Sequence, residues 1–174
     1  GYCSDENNNS KFGTGALNGL TTGTKNTASG YRSLYSNENG HRNTASGYGS
    51  LKSNTSGSNN TASGYKALCS NTTASYNTAL GTFSLYKNTT GFGNLALGYA
   101  ALTNNTTANY NVAVGYAALY DNTTGGMNTA VGRQALENNA FNDRGRDRAA
   151  VKRRKDSYNK ILEEWNECEK QKNS

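Results

Sequence analysis

Few residues in this chain have the types and the spacing that catalysis requires. The only histidine is His41, and between residues 26 and 139 the carboxylates are Glu38, Asp121 and Glu137, which are too widely spaced in sequence for an acid–base pair. No nucleophile stands at motif spacing from a base, and no glycine-rich run matches a phosphate loop. No Cys-x-x-Cys pair suggests zinc or redox chemistry. We therefore predict no catalytic residue, no cofactor and no metal ligand, and a protein that is not an enzyme.

Three cysteines remain as candidates for covalent chemistry, Cys3, Cys69 and Cys168. An odd number leaves one thiol over after intramolecular pairing, so an oxidising compartment would favour a bond between chains. Cys3 and Cys168, near the two ends of the chain, are the most reachable pair for such a disulfide. Three unpaired thiols are an equally good interpretation of the sequence.

Glycosylation is the modification for which the sequence offers a motif. The sequon Asn-x-Ser/Thr recurs at a fixed spacing at Asn54, Asn71, Asn88, Asn105 and Asn122. In a eukaryotic secretory pathway, these asparagines would carry a line of glycans along one edge. The favoured interpretation is a turn, in which Asn tolerates left-handed backbone and Gly ends the turn, with glycosylation as an addition to it.

These residues belong to a repeat that sets the architecture. The sequence Asn-Thr-Ala-Ser-Gly-Tyr-Arg-Ser-Leu, or a variant of it, returns every 17 residues without insertion. Its copies begin at Asn26, Asn43, Asn60, Asn77, Asn94, Asn111 and Asn128, and a degenerate copy begins at Asn9. We number the positions of the unit N-T-A-x-G-Y-x-[AS]-L-x-x-N-T-T-G-x-x as slots 1 to 17.

A fixed period near 20 residues is typical of repeat folds in which each unit stacks on its neighbours. A unit rich in Gly and Asn-Thr-Thr-Gly cannot hold a helix pair, but it fits two strands of roughly four to six residues and two turns. We predict an all-β fold, a β-solenoid (parallel β-roll) of about eight 17-residue coils, over residues 9–141. A polar leader, residues 1–8, precedes it, and a charged amphipathic α-helix, residues 142–174, follows it.

Slot 9 is leucine in every copy, which predicts a buried ladder at the centre of the solenoid. The ladder comprises Leu17, Leu34, Leu51, Leu68, Leu85, Leu102, Leu119 and Leu136. One buried leucine contributes about 1.5–3 kcal/mol, far less than the ~1.5 kcal/mol per residue that ordering a whole coil costs. Backbone hydrogen bonds, stacked asparagine side chains and contacts with other copies of the chain must therefore contribute.

Slot 4 changes from serine in the first coils to Leu or Val in the last four. The apolar residues of the C-terminal segment have the spacing of a short a/d stripe, so we predict that this helix lies on the apolar part of slot 4 or docks onto it across a subunit boundary. The resulting assembly surface would comprise Leu80, Leu97, Val114, Val131, Val151, Tyr158, Ile161 and Trp165. The alternative is a three-stranded coiled coil that continues the axis of the rod.

Slot 6 forms a column of tyrosines with two interruptions, Thr82 and Arg133. The column comprises Tyr31, Tyr48, Tyr65, Tyr99 and Tyr116. Exposed aromatic rings combine an apolar face with a polar hydroxyl, so they can stack on sugars or pack against a neighbouring chain. We favour packing against another chain.

The unit N-T-A-V-G-Y-x-A-L resembles the repeats of bacteriophage and viral tail-fibre shafts. Its kernel x-A-x-G-x-x-[AS] is similar to the head repeats of trimeric autotransporter adhesins, which are β-rolls that associate in threes. The resemblance covers residues 9–139, although this unit is longer and richer in Asn and Thr than the adhesin repeat. It implies a rod that assembles as a trimer or a polymer.

Charge and hydropathy bear on whether nucleic acids or membranes are partners of this chain. The chain has a net charge of +6, but its basic residues gather after Asn139 and the repeats offer no matching basic groove, so we predict no nucleic-acid partner. No apolar run approaches the ~20 residues that cross a bilayer, which predicts no membrane insertion. The missing initiating Met favours a mature, processed chain.

These patterns predict a non-enzymatic structural subunit of an extracellular fibre or filament, which self-associates through its repeat solenoid. We expect it outside the cell or on a virion or cell surface, with other copies of itself as partners. The alternative is an adhesin or a viral or phage fibre module that binds a host surface or a glycan.

Overall fold

A computed structural model describes residues 5–139, which form a parallel β-solenoid. Each coil contributes one strand of three residues, which pairs in register with the strand 17 residues later. The strands are β1 (Ser10–Phe12), β2 (Thr27–Ser29), β3 (Thr44–Ser46), β4 (Thr61–Ser63), β5 (Thr78–Leu80), β6 (Leu95–Leu97), β7 (Val112–Val114) and β8 (Thr129–Val131). The predicted solenoid is confirmed, whereas the predicted C-terminal helix lies outside the described residues.

The prediction of two strands of four to six residues in each coil is wrong, because the described backbone leaves the strand through left-handed turns. Positive φ recurs at slots 5, 7, 9 and 17. In the coil that begins at Asn60, φ is +133° at Gly64, +52° at Lys66, +52° at Leu68 and +62° at Tyr76. Extended strands need negative φ, so each coil closes through turns instead of through a second strand.

The glycine at slot 5 is required by the close stacking of the coils. Gly47 has a φ of +118°, and a Cβ atom there would lie 2.7 Å from the carbonyl oxygen of Gly64 in the next coil. A side chain would meet backbone that has no room to move. The recurrence of glycine therefore follows from contacts within one chain.

The leucines of slot 9 are all buried, and the six between Leu34 and Leu119 have no exposed surface. Their φ angles lie between +49° and +53°, a conformation that costs a residue with a Cβ about 1–2 kcal/mol. Burying a leucine side chain contributes about 1.5–3 kcal/mol, which offsets this cost. Slot 9 therefore requires a large apolar side chain, which glycine could not supply.

Backbone hydrogen bonds join successive coils outside the strands as well. The amide of Leu34 donates to the carbonyl oxygen of Ser50 at 3.0 Å, and the amide of Ser36 donates to that of Lys52 at 3.0 Å. Because such bonds recur on the side away from the sheet, the turns stack as regularly as the strands do. This regular stacking presents each slot as a straight column of side chains.

Replacing Leu85 by Asp is expected to prevent folding, since a carboxylate would replace a fully buried leucine without a partner for its charge. Circular dichroism and thermal unfolding measure the effect. Thr90→Asp, at an exposed position of the same coil, is the control and should keep the wild-type spectrum. A Leu85→Asp variant with a wild-type unfolding transition would contradict the assignment of the core.

Candidate functional site

Two columns of buried asparagines, at slots 1 and 12, flank the leucine ladder. In slot 12, Nδ2 of Asn88 donates to Oδ1 of Asn71 at 3.0 Å and to the carbonyl oxygen of Gly91 at 2.8 Å. In slot 1, Nδ2 of Asn77 donates to the same carbonyl oxygen at 2.9 Å. The carbonyl oxygen of slot 15 thus accepts one hydrogen bond from an asparagine of each column. This arrangement repeats in the five coils that begin between Asn26 and Asn94.

The slot-12 column contains all five asparagines that were considered as glycosylation sites, Asn54, Asn71, Asn88, Asn105 and Asn122. Each is fully buried, and each Nδ2 donates to the asparagine of the preceding coil and to a carbonyl oxygen of its own turn. Because a glycan would be attached to that same nitrogen, glycosylation at these sites does not fit the packed solenoid. Slot 12 also lacks left-handed backbone, so the asparagines serve the turn through their side chains.

The N-terminal end of the slot-1 column is capped by Asp5, within the segment interpreted as a polar leader. Between inner coils, Oδ1 of one asparagine accepts the backbone N–H of the next, as Oδ1 of Asn26 does from Asn43 at 2.9 Å. Oδ1 of Asp5 accepts the backbone N–H of Asn9 at 2.8 Å in the same way, and its Oδ2 accepts Nδ2–H of Asn9 at 3.0 Å. These hydrogen bonds from Asn9 lower the pKa of Asp5 below its usual 3.8.

At the C-terminal end of the slot-1 column, the last asparagine is Asn128. Oδ1 of Asn128 is buried and accepts no hydrogen bond from the residues that the structure describes. The next position of slot 1 falls on residue 145, which lies outside them. Within residues 5–139, the slot-1 column is therefore capped by a side chain at its N-terminal end alone.

The residues considered for catalysis have structural contacts. Nδ1 of His41 accepts the backbone N–H of Thr24 at 3.1 Å, and Oδ1 of Asp121 accepts Nδ2–H of Asn104 at 2.9 Å. Between residues 5 and 139, no group of three or more His, Cys, Asp or Glu side chains could hold a metal ion. No helix in that range is long and apolar enough to cross a membrane.

Of the three cysteines, the structure describes Cys69, which carries a free, half-buried thiol. Burial raises the pKa of this thiol. The predicted pair Cys3 and Cys168 lies outside the described residues, and its pairing stays a prediction.

The side chains of slots 2 and 4 project outward from the strands and form a sheet face. On β2 to β4 they are all Thr and Ser, whereas on β5 to β8 most are Leu and Val. Leu80 is 40% and Val131 69% exposed, while Leu97 and Val114 are partly exposed between them. The structure thus brings the four solenoid residues of the predicted assembly surface into one row. Their predicted partners Val151, Tyr158, Ile161 and Trp165 lie outside the described residues.

The corner that precedes each strand, slots 16 and 17, also carries several apolar residues in the later coils. In the first coils it carries residues such as Lys25 and Arg42, and later Phe92, in edge-to-face contact with Tyr110 at 4.9 Å between ring centroids. We call the combined region the apolar surface. It comprises Tyr76, Leu80, Phe92, Leu95, Leu97, Tyr110, Val112, Val114, Met127 and Val131. Sequence analysis missed the corner residues because slots 16 and 17 have no consensus.

The tyrosines of slot 6 form a nearly continuous aromatic column on another side of the solenoid. Neighbouring rings stack, with centroids 5.1 Å apart for Tyr31 and Tyr48. At the interruption by Thr82, the ring of Phe83 from slot 7 makes edge contacts with Tyr65 at 5.4 Å and Tyr99 at 6.3 Å. At the second interruption, the Arg133 guanidinium lies 5.7 Å from the ring centroid of Tyr116, a cation–π contact that ends the column.

A cleft of about 510 Å³ opens beside this column in the last coils. Its aromatic lining comes from slots 6, 7 and 10, and its polar lining includes Lys87, Asn104, Gln134 and Glu137. A smaller cleft of about 200 Å³ lies farther toward the N terminus, where Lys52, Lys66 and Cys69 are part of the lining. Several aromatic and polar side chains converge on the larger cleft, which makes it the better candidate of the two for a ligand site.

The chain matches no family model, no curated protein and no solved structure. Its similarity to tail-fibre and adhesin repeats therefore stays a prediction made from the repeat unit. The structure defines the class of protein as a parallel β-solenoid with 17-residue coils and a single short strand in each coil.

Asn88→Asp is expected to lower the free energy of unfolding by more than about 2 kcal/mol at neutral pH, because a buried carboxylate cannot donate to Oδ1 of Asn71. The buried carboxyl would have a raised pKa, so the loss should shrink as the pH falls through that raised value toward the unfolded value of about 4, below which both states are protonated and the loss stays constant. Asn39→Asp is the matched control, since Asn39 is exposed and its Oδ1 only accepts hydrogen bonds from Thr21 and Thr22. Equal losses for the two variants in denaturant titrations would contradict a stabilising asparagine ladder.

Asp5→Ala is expected to lower the melting temperature at neutral pH, because Asn9 loses the acceptor of two hydrogen bonds. The pKa of Asp5 is depressed in the folded chain, so its contribution is present above 3.8 and is lost as the pH falls through the lower folded-state value. The difference in melting temperature between wild type and variant should therefore shrink in acid. Glu6→Ala, at the exposed neighbouring position, should change little, and a pH-independent difference for Asp5→Ala would argue against the cap.

Proposed function

We propose that this protein is a non-enzymatic structural subunit of an extracellular fibre or filament, and that its copies associate through the apolar surface. The observation that carries the proposal is the change of slot 4 from serine on β2 to β4 to leucine or valine on β5 to β8, within a repeat whose interior stays constant. Slot 4 changes from Ser63 on β4 to Leu80 on β5, and slot 17 changes from Asn59 to Tyr76 over the same step. A solenoid surrounded by water along its whole length has no physical reason for such a change.

The energetics of burial favour a partner on this surface. Exposed apolar patches larger than a few hundred Å² are uncommon on soluble monomers and mark interaction sites. Removing this area from water would contribute roughly 25 cal/mol per Å² before the costs of association. Leu80 and Val131 retain large exposed fractions, 40% and 69%, so much of their possible burial is still available to a partner.

The shape of the surface favours a second copy of the chain as that partner. In-register three-residue strands give a flat face, and two such faces can pack about 10 Å apart with interdigitating side chains. Equivalent faces of identical chains match in shape and in polarity, with apolar half against apolar half. By resemblance to the autotransporter head repeats, we expect three copies around a common axis.

The mechanical character of the solenoid suits a structural role. Seven coil-to-coil steps of about 4.8 Å give a rod roughly 34 Å long, held by backbone hydrogen bonds and by the asparagine columns. A rod of this kind acts as a spacer or shaft whose length is set by the number of repeats. The alternative function, an adhesin that binds a glycan, is favoured by the cleft beside the tyrosine column.

Leu97→Asp is expected to turn the assembled protein into a monomer, since a carboxylate at the centre of the apolar surface would be buried in the interface. Sedimentation velocity at micromolar concentration measures the mass, and circular dichroism confirms that the coils stay folded. Ser46→Asp is the matched control, because it places the same charge at slot 4 on the polar half of the face.

Three outcomes would contradict the proposal. The first is a wild-type chain that sediments as a folded monomer, and the second is a Leu97→Asp variant that assembles normally. The third concerns a chain truncated after Asn139. If that chain stays folded but is a monomer, residues 140–174 make the contact instead of the sheet face of another copy.

A further inference from the structure

We propose that the cleft between the tyrosines of slots 6 and 10 binds a neutral saccharide. Its walls are Tyr99 and Tyr116 on one side and Tyr86 and Tyr120 on the other. This inference does not rest on self-association, because the cleft and the sheet face use different slots of the repeat.

Local departures from the repeat create the cleft. Slot 7 carries Ala100 and Ala117 between the longer Phe83 and Gln134, so the floor of the cleft is low in these two coils. Slot 10 is a threonine, Thr103, between two tyrosines. The interior of these coils is unchanged, so the departures alter the surface without altering the fold.

The opening at Thr103 has the dimensions of a ring. Tyr86 and Tyr120 lie two coils apart, which corresponds to about 9.6 Å along the rod. Two stacking distances of about 3.5–4 Å fit within that interval, so the spacing leaves room for one sugar ring above Thr103, which is 7% exposed. The Thr103 hydroxyl already donates to the carbonyl oxygen of Phe83 at 2.9 Å, and the Phe83 ring supports Tyr86 edge-on at 5.5 Å.

The chemistry of the lining favours a saccharide over other ligands. Sugars present apolar C–H faces to aromatic rings and hydroxyl groups at their edges, and the four tyrosines supply both ring surface and phenolic hydroxyls. Lys87, Asn104, Gln134 and Glu137 add further donors and acceptors at the rim. One lysine opposes one glutamate there, so the lining carries no net charge that would select an anion or a cation. The volume of about 510 Å³ lies within the range of small-molecule sites.

Titration calorimetry of the full chain with cellohexaose, maltohexaose and chitohexaose tests the proposal. We expect at least one of the three to bind, and Tyr120→Ala to weaken its binding by about tenfold through the loss of one stacking wall. Thr103→Tyr should also abolish or weaken binding, because it fills the opening with the residue that slot 10 carries in the adjacent coils.

Tyr35→Ala is the matched control, since it removes a slot-10 tyrosine that is not part of the cleft lining. It should leave saccharide affinity unchanged, and so should Leu97→Asp on the sheet face. The proposal is overturned if none of the three saccharides binds the wild-type chain at millimolar concentration. It is also overturned if Tyr120→Ala and Thr103→Tyr both keep wild-type affinity, or if Tyr35→Ala weakens binding as much as they do.

Discussion

The interaction on which this solenoid depends is the buried carboxamide of asparagine, which occurs at two positions of each inner coil and is hydrogen-bonded there. A buried polar group without a partner costs about 1–3 kcal/mol, so a column of them is stable only if every member is paired. Asparagine achieves this because it carries two donor hydrogens and an acceptor on one short side chain. In slot 12, the donors of Asn71 reach Asn54 and the carbonyl oxygen of Ala74, and its own acceptor receives Asn88. The leucine ladder alone, one side chain per coil, could not offset the entropy of ordering the chain.

This constraint divides the repeat into an invariant inside and a variable outside. Slots 1, 9 and 12 face the interior and keep their residue from the coil of Asn26 onward, because a change there breaks a column and deprives its neighbours of a partner. Slots 4, 7, 10, 16 and 17 face solvent and can differ from coil to coil without disturbing the fold. The departures from the repeat therefore carry the information about binding. The apolar surface and the tyrosine cleft both consist of such departures.

The sequence predicted the period, the parallel stacking and the leucine column, because each follows from residues that recur at one spacing. It did not predict the single short strand, since left-handed backbone at Leu68 or Lys66 has no signature in residue types that usually avoid it. The sequence indicated a turn and stacked asparagines at slot 12, but Asn-Thr-Thr-Gly also matches a sequon, and the pattern did not show that the slot-12 side chains are fully buried. Phe83 was missed because its position is one slot away from the column that it completes. Asp5 was missed because one acidic residue in a polar segment gives no pattern.

The difference between the two ends of the slot-1 column favours lateral association of solenoids over end-to-end stacking. Stacking one rod on another would extend the slot-1 column, and the acceptor Oδ1 of Asn128 would need a backbone N–H from the first coil of the next chain. The backbone N–H that stands in that position is that of Asn9, which already donates to Asp5. End-to-end stacking would have to displace a carboxylate whose pKa is lowered by these same hydrogen bonds. The apolar surface requires no such exchange, since contact there removes apolar side chains from water and breaks no hydrogen bond of the columns. We therefore propose lateral association of parallel rods as the assembly mode.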